Sequence, residues 1–156
     1  MRRQRIYIDT SIVGGFFDKE FEMDTKSLFL RLEAKEVLFV VSEVLTGELQ
    51  KAPERVKSLL GGYDGECLEY VPLTADAREL ADKYIAENVV GQTSYDDCCH
   101  IALATVHRVD ALASWNFKHI VNLSRIRGYN GVNLKNGFPT IEIRTPRELI
   151  DYGKDV

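Results

Sequence analysis

Four polar residues of this chain lie where apolar runs end or helical patterns begin, in segments far apart in the sequence. Asp9 closes one apolar run and Asn116 follows another, while Glu48 and Asp97 lie in segments with a helical pattern. In an open parallel sheet, ligands bind at the carboxyl ends of the strands. We therefore expect these four side chains to converge on one oxygen-rich pocket, which suits a hard divalent cation.

The chemistry expected of such a pocket is phosphodiester hydrolysis. Carboxylates placed close together raise each other's pKa unless a divalent cation neutralises them, so convergence of Asp9, Glu48 and Asp97 implies a metal. Mg²⁺ or Mn²⁺ suits oxygen ligands. Such an ion polarises a phosphoryl group and lowers the pKa of a water that attacks it.

The elements that must position these residues follow from the hydrophobic pattern. Strand-like runs alternate with helical patterns, which is typical of a parallel sheet covered by helices. We predict a three-layer α/β/α fold, a single domain over residues 1–156, with a central, mainly parallel sheet of about five strands. The runs assigned to strands are 6–8, 37–41, 67–73, 111–115 and 140–143.

Helix starts are indicated by capping residues, and one segment lacks a helical pattern. The predicted starts are Thr10 or Ser11, Asp24-Thr25, Ser42, Pro53, Thr74, Ser94 and Thr145-Pro146. Segment 123–139 is rich in Gly, Asn and Arg and has little periodicity. A structureless connection of that length is unusual in a compact domain, so we predict a functional loop there.

Composition limits the class of protein. The chain has 156 residues, 45% of them hydrophobic and 28% charged, with a net charge of -4. A nucleic-acid partner would therefore have to be met by a metal or a local basic patch. The three cysteines fit neither a disulfide framework nor a zinc pattern. With no signal-peptide pattern and no apolar run of spanning length, we expect a cytoplasmic protein without a membrane segment.

Two groups of residues could contact a nucleic acid. Trp115 and Phe117 flank Asn116, where an aromatic ring could stack on a base, although core packing is the favoured interpretation of Trp115. A second group could line a phosphate groove or be scattered surface charge: Arg2, Arg3, Arg5, Lys118, Arg125, Arg127 and Lys135, with Tyr129 interleaved.

Short motifs around the four polar residues resemble the PIN domain in its VapC-like toxin branch. The order and spacing of the motifs match over residues 5–122, and the tail 141–146 is similar to the closing strand and helix of some members. The motifs are Ile8-Asp9-Thr10-Ser11, Thr46-Gly47-Glu48-Leu49, Asp97-Cys98-Cys99-His100-Ile101-Ala102-Leu103-Ala104 and Ser114-Trp115-Asn116-Phe117-Lys118-His119-Ile120.

The resemblance implies a magnesium- or manganese-dependent endoribonuclease that is usually a homodimer and often inhibited by a small antitoxin protein. Asp9, Glu48 and Asp97 match the family's first three acids and become the expected metal ligands. Thr10 or Ser11 would support Asp9. The fourth family position is commonly Asp, and Asn116 departs from it, which supplies less charge for a second cation.

Each assignment has a competing interpretation. Asp9 could act only as a helix cap. Glu48 competes with Glu43 in the first turn of the same predicted helix, and Asp97 and its neighbour Asp96 could both simply favour a helix start. His100 is expected to be a partly buried structural residue rather than a ligand. For the whole chain, the departure at Asn116 favours a catalytically weak or inactive PIN-like module that binds RNA or a protein.

A third function would use Asp9 as the nucleophile of a phosphotransfer enzyme. Haloacid-dehalogenase-like enzymes carry a second acid two residues after the first, and here that place is Ser11, which disfavours this alternative.

Overall fold

The computed structural model of the chain describes residues 3–151 and contains a five-stranded sheet in which every strand pairing is parallel. The strands lie in the order β3-β2-β1-β4-β5, so that β1 occupies the centre. Helices cover both faces, which confirms the predicted three-layer α/β/α fold. The strands are β1 Gln4–Ile8, β2 Val37–Ser42, β3 Leu68–Val71, β4 Ala111–Ala113 and β5 Ile143–Arg144.

Eight α-helices connect and cover these strands within the described part of the chain. They are α1 Thr10–Gly15, α2 Glu22–Glu33, α3 Glu43–Leu49, α4 Glu54–Lys57, α5 Ala75–Ala86, α6 Tyr95–Val106, α7 Leu123–Lys135 and α8 Pro146–Leu149. Short 3₁₀ turns lie at Leu60–Gly62, Gly65–Cys67 and Gln92–Ser94.

The central strands are buried on both faces and separate two halves of the core. On β1, Tyr7 packs into the half formed with α5, α6 and α7, whereas Ile6 and Ile8 pack into the half formed with α1, α2 and α3. All three side chains are fully buried. This explains why the strands are continuous apolar runs rather than alternating ones, as expected for a covered parallel sheet.

Several helix starts are set by the predicted caps. The Ser42 hydroxyl accepts from the backbone N–H of Leu45, and the Thr74 hydroxyl accepts from that of Ala77. Thr145 begins α8 in a capping box. The predicted start of α2 at Asp24-Thr25 is wrong, because this helix already begins at Glu22 and Thr25 lies within it.

The prediction of a loop at 123–139 is also wrong, because α7 occupies most of that segment. Asn122 caps the helix through a hydrogen bond from the Arg125 N–H. The buried face of α7 consists of Tyr129, Val132 and the fully buried Asn133, whose amide hydrogen-bonds to other buried side chains. The buried Asn133 and the closely packed Gly128 hide the periodicity that usually marks a helix.

No helix among residues 3–151 is long and apolar enough to cross a membrane. The three cysteines, Cys67, Cys98 and Cys99, are buried and free, in agreement with the expected absence of a disulfide framework.

The close packing of α1 against Trp115 gives a first testable prediction. A Cβ atom at Gly15 would lie 2.8 Å from two atoms of the Trp115 ring and 3.0 Å from the Thr25 hydroxyl. We expect Gly15→Ala to lower the free energy of unfolding by about 1–3 kcal/mol, as overpacking usually does. Urea denaturation measures this change.

Gly14 provides the matched control, because a Cβ there meets nothing within 4 Å. Gly14→Ala in the same helix should be neutral or stabilise by up to about 1 kcal/mol through helix propensity. Equal effects of the two substitutions would contradict the proposed packing.

Candidate active site

Asp9 lies at the end of β1 and is held by two hydroxyl groups. Its side chain is only 3% exposed. Oδ1 accepts a 2.6 Å hydrogen bond from Ser11, and Oδ2 accepts a 2.5 Å bond from Ser114. Ser114 reaches Asp9 because Ile8 pairs with Ala113 in the register of β1 and β4. Sequence reasoning anticipated Ser11 but missed Ser114, which only the strand order places beside Asp9.

Burial is the largest influence on the pKa of Asp9. Loss of solvent raises the pKa of its carboxyl group, although the interaction with His100 and the hydroxyl bonds from Ser11 and Ser114 act in the opposite direction. When Asp9 is ionised, two neutral hydroxyl donors and one nearby imidazole stabilise its negative charge. They only partly offset the cost of burying that charge.

Glu48 points from α3 toward the same end of the sheet. Its Oε1 atom accepts a 2.7 Å hydrogen bond from the Thr10 hydroxyl and lies 2.6 Å from Nε2 of His100. Partial burial by itself would raise the pKa of Glu48, but the hydrogen bond and charge interaction with His100 and the bond from Thr10 hold it below its ordinary value. Glu48 is thus a stably ionised carboxylate, with its side chain 34% exposed.

His100 connects Glu48 to the core through a chain of hydrogen bonds. Nδ1 of the buried ring lies 2.7 Å from the Tyr7 hydroxyl, which donates to Ser42, the capping residue of α3. When both ring nitrogens are protonated, His100 donates to Tyr7 and to Glu48 at once. The expected structural role of His100 is consistent with this placement, but its contact with Glu48 places it directly beside a candidate site residue.

Asp97 lies one helical turn before His100 on α6, half-buried. Burial raises the pKa of its carboxyl group, and the charges of Asp9 and Glu48 raise it further, whereas His100 and His119 oppose them. Asp97 therefore lies within electrostatic reach of both other acids. The charges of the acids that follow β1 and lie on α3 thus both act on the ionisation of Asp97.

Asn116 follows β4 and shapes the backbone beside Asp9. Its Oδ1 atom accepts a 3.0 Å hydrogen bond from the His119 N–H, and its own N–H donates to the Ser114 hydroxyl at 2.9 Å. Because Ser114 also donates to Asp9, the turn after β4 is tied to the first acid. The amide oxygen of Asn116 is thus already engaged in capping this turn.

The residues of this site suit a divalent cation that is bound by few protein ligands and keeps its other coordination positions open. Among residues 3–151, no three His, Cys, Asp or Glu side chains are grouped so that they could share one metal ion. Mg²⁺, however, usually takes one or two protein carboxylates and keeps waters or substrate phosphates in its other positions. Asp9 and Asp97 are two carboxylates of the site whose pKa values are raised mainly by burial, and a bound cation would favour their ionised forms.

A cleft of about 610 Å³ opens beside Glu48. Thr10, Gly47 and Glu48 line it, and Lys51 and Asp96 contribute to its walls. The cleft gives solvent and a ligand access to the exposed side of the Glu48 carboxylate.

Some of the residues that could line a phosphate groove are engaged with other groups of the protein. Arg5 and Lys135 are in ion pairs with glutamate side chains. Tyr129 is fully buried, and its hydroxyl donates to the backbone oxygen of His119, so the prediction that it interleaves with surface cations is wrong. Arg2 lies outside the described residues.

Solved structures share this arrangement of strands and helices. The sarcin-ricin loop cleaving toxin VapC20 of Mycobacterium tuberculosis superposes with a TM-score of 0.57 at 15% identity, over 72% of this chain and 91% of that one. VapBC2 from Rickettsia felis, bound to a DNA fragment from its promoter, gives 0.55 at 16% identity, over 91% and 98%. A toxin-antitoxin complex from Klebsiella pneumoniae gives 0.53 at 19% identity, over 72% and 88%.

Comparison of the sequence with protein-family models and with curated proteins finds no match. The structural similarity alone therefore defines the class: the chain has the PIN fold in its VapC-like form. At these identities the similarity establishes the fold, and the activity must be argued from the site.

Proposed function

We propose that this protein is a Mg²⁺- or Mn²⁺-dependent endoribonuclease that hydrolyses phosphodiester bonds of RNA. The observation that carries the proposal is that Asp9, Glu48 and Asp97, from three distant segments, all lie within reach of His100, whose Nε2 atom is 2.6 Å from Glu48. A fold shared with a toxin that cleaves the sarcin-ricin loop supports the choice of RNA as substrate.

In this proposal, Asp9 and Asp97 hold the cation, and Glu48 is the third acid of the site. When bound, the cation supplies charge stabilisation to the phosphoryl group and favours ionisation of the attacking water. Ser11 and Ser114 fix the orientation of Asp9, so its carboxylate is positioned before the substrate arrives.

Glu48 is suited to receive the proton of the attacking water. His100 and Thr10 engage Oε1 and keep the group ionised, which leaves Oε2 as the proton acceptor. Hydrolysis then breaks one P–O ester bond and leaves a phosphate monoester and a free hydroxyl on the two RNA fragments.

Cleavage of RNA by the purified protein tests this proposal. We expect cleavage of mixed RNA with Mg²⁺ or Mn²⁺, its loss when EDTA removes the metal, and its loss in Asp9→Asn. RNA that stays intact with both metals, together with an Asp9→Asn variant that behaves like the wild type, would overturn the enzymatic proposal.

We further propose a role as the toxin of a toxin-antitoxin pair, acting as a cytoplasmic homodimer. Two of the similar structures are a VapBC protein bound to its promoter DNA and a toxin-antitoxin complex, which supports a small antitoxin as partner. A neighbouring gene for a short DNA-binding protein with a charged tail would support this role. Co-expression of that neighbouring gene should then relieve any growth arrest caused by this chain.

The second candidate function is a catalytically weak or inactive PIN-like module that binds RNA or a protein. Asn116 favours it, because a neutral amide stands at the fourth position and its oxygen already caps the turn at His119. Metal-dependent cleavage separates the two functions: the module would bind RNA without cutting it.

Asn116→Asp provides a prediction about metal binding. An aspartate can still accept the hydrogen bond from His119 and adds a second oxygen and a negative charge. We expect tighter Mn²⁺ binding or faster cleavage, by about 10-fold for each 1.4 kcal/mol of added stabilisation. Isothermal titration of Mn²⁺ into both proteins measures this. Equal affinity and stoichiometry would argue against a contribution of position 116 to the cation site.

A further inference from the structure

An aromatic patch lies beside the candidate active site. Phe21, Trp115 and Phe117 are in mutual contact: the rings of Phe21 and Trp115 stack with centroids 4.4 Å apart, and Phe117 lies 6.2 Å from Trp115 and 6.3 Å from Phe21. Phe117 is 51% exposed, and the other two rings are partly exposed. The ring of Phe117, tilted by 42° against Phe21 and by 54° against Trp115, is therefore the part of the patch that faces solvent most.

The patch is tied directly to the first acid. The Trp115 N–H donates to the Ser11 hydroxyl at 2.8 Å, and Ser11 in turn donates to Asp9. Phe117 follows Asn116 in the turn after β4, the strand that neighbours β1 in the sheet. The backbone that carries the patch thus lies next to the hydroxyl group that holds Asp9.

The base of the patch is rigid. The Trp115 indole N–H donates to the Thr25 hydroxyl at 2.9 Å, and the ring lies so close to Gly15 that no side chain fits between them. Asn116 caps the turn that carries Phe117 through its bond from His119. The exposed ring is consequently pre-positioned, which reduces the entropy lost when a ligand stacks on it.

We infer that this patch stacks an unpaired base and selects single-stranded RNA as the ligand of the site. The inference rests on the proposed function. Stacking on aromatic rings is a usual way of holding unpaired bases, and it tolerates different bases because each has a π-face. Lys118, exposed next to Phe117, supplies positive charge for an adjoining phosphate. A paired base would offer no free face to Phe117.

Binding and cleavage by Phe117 variants test the inference. We use a single-stranded oligoribonucleotide and the same strand annealed to its complement. Phe117→Ala should weaken binding and cleavage of the single strand by about 5- to 150-fold, the loss expected for one stacked base. Phe117→Tyr keeps the ring and should stay within about twofold of the wild type, since it retains the π-face. The duplex should bind weakly to all three proteins.

Tyr70 offers a matched control. It is an aromatic residue with 62% exposure on the edge strand β3, two strands away from β1. Tyr70→Ala should leave single-strand binding and cleavage unchanged. Trp115, the only tryptophan in the chain, should report binding through a fluorescence change that is absent in Phe117→Ala.

The outcomes distinguish this inference from the proposed function. If the wild type cleaves RNA but Phe117→Ala binds and cleaves the single strand as well as the wild type does, the inference fails and the nuclease stands. If no protein cleaves, the proposed function fails, and oligonucleotide binding alone then decides the inference. A change of oligomeric state in Phe117→Ala without loss of RNA binding would identify the patch as a protein interface and overturn the inference.

Discussion

Asp97→Asn is expected to abolish RNA cleavage while slightly raising the melting temperature at neutral pH. The substitution keeps the shape of the side chain and removes one of the two carboxylates assigned to the cation. Cation contributions to phosphoryl transfer amount to several kcal/mol, so the rate should fall by about 10³-fold or more. The fold should survive, because the side chain of Asp97 makes no hydrogen bond to the residues that the structure describes.

The pH dependence of stability determines the direction of the expected change in melting temperature. Burial and the charges of Asp9 and Glu48 raise the pKa of Asp97 in the folded state. Protonated Asp97 therefore stabilises the folded state relative to the unfolded one. This stabilisation is present below the unfolded pKa and is lost as pH rises through the folded pKa, so ionised Asp97 opposes folding at neutral pH. The melting temperatures of variant and wild type should therefore diverge as pH rises from acid to neutral. The difference should be small, because the helix dipole favours an acid in the first turn of α6 by about 0.3–1 kcal/mol.

Asp96 is the control for this experiment. It precedes Asp97 on the same helix but is exposed. Asp96→Asn should retain cleavage. A sharp fall in the melting temperature of Asp97→Asn would instead make Asp97 a structural residue, and equal activity of both variants would remove it from the site.

The second large effect is expected at His100, the residue that holds Glu48. His100→Leu fills much of the same space but removes the hydrogen bonds to Glu48 and Tyr7. Loss of a partner for buried polar groups should lower the free energy of unfolding by about 1–3 kcal/mol. Cleavage should fall by about 10- to 100-fold, as is usual when a group that orients a site carboxylate is lost.

His100→Gln separates positioning from packing. Its amide nitrogen can reproduce the donor at Nε2, which faces Glu48, but not the contact of Nδ1 with Tyr7. We expect His100→Gln to recover cleavage more completely than stability. If Leu and Gln variants lost cleavage equally, His100 would not act through Glu48. Unchanged cleavage in both would exclude any positioning role.

The central sheet could be predicted because its signals are local. The apolar run at β2 and the caps Ser42 and Thr74 depend on neighbours within four residues of each other. The tertiary structure confirmed these elements. By contrast, the sequence did not predict α7, because long-range packing rather than helix propensity stabilises this helix. Gly128 shows how close this packing is, since a Cβ atom there would lie 2.8 Å from Val89.

The candidate site could be predicted only in part, for a related reason. Asp9 is recognisable because it ends a strand, and strand ends carry functional groups in parallel sheets. The partners of these acids were not predictable: Ser114 reaches Asp9 only because β4 lies next to β1, and His100 reaches Glu48 only because α6 packs near α3. Strand order depends on crossovers that no short window of sequence reveals.

The location of a bound cation tests the central claim most directly. A crystal of the protein soaked in Mn²⁺ gives an anomalous signal at each ion site. We predict one strong peak at the carboxyl end of the sheet, in contact with Asp9 and Asp97, which disappears in Asp97→Asn. A map with no peak at these residues, or with peaks only at surface acids elsewhere, would contradict the cation site and with it the proposed nuclease.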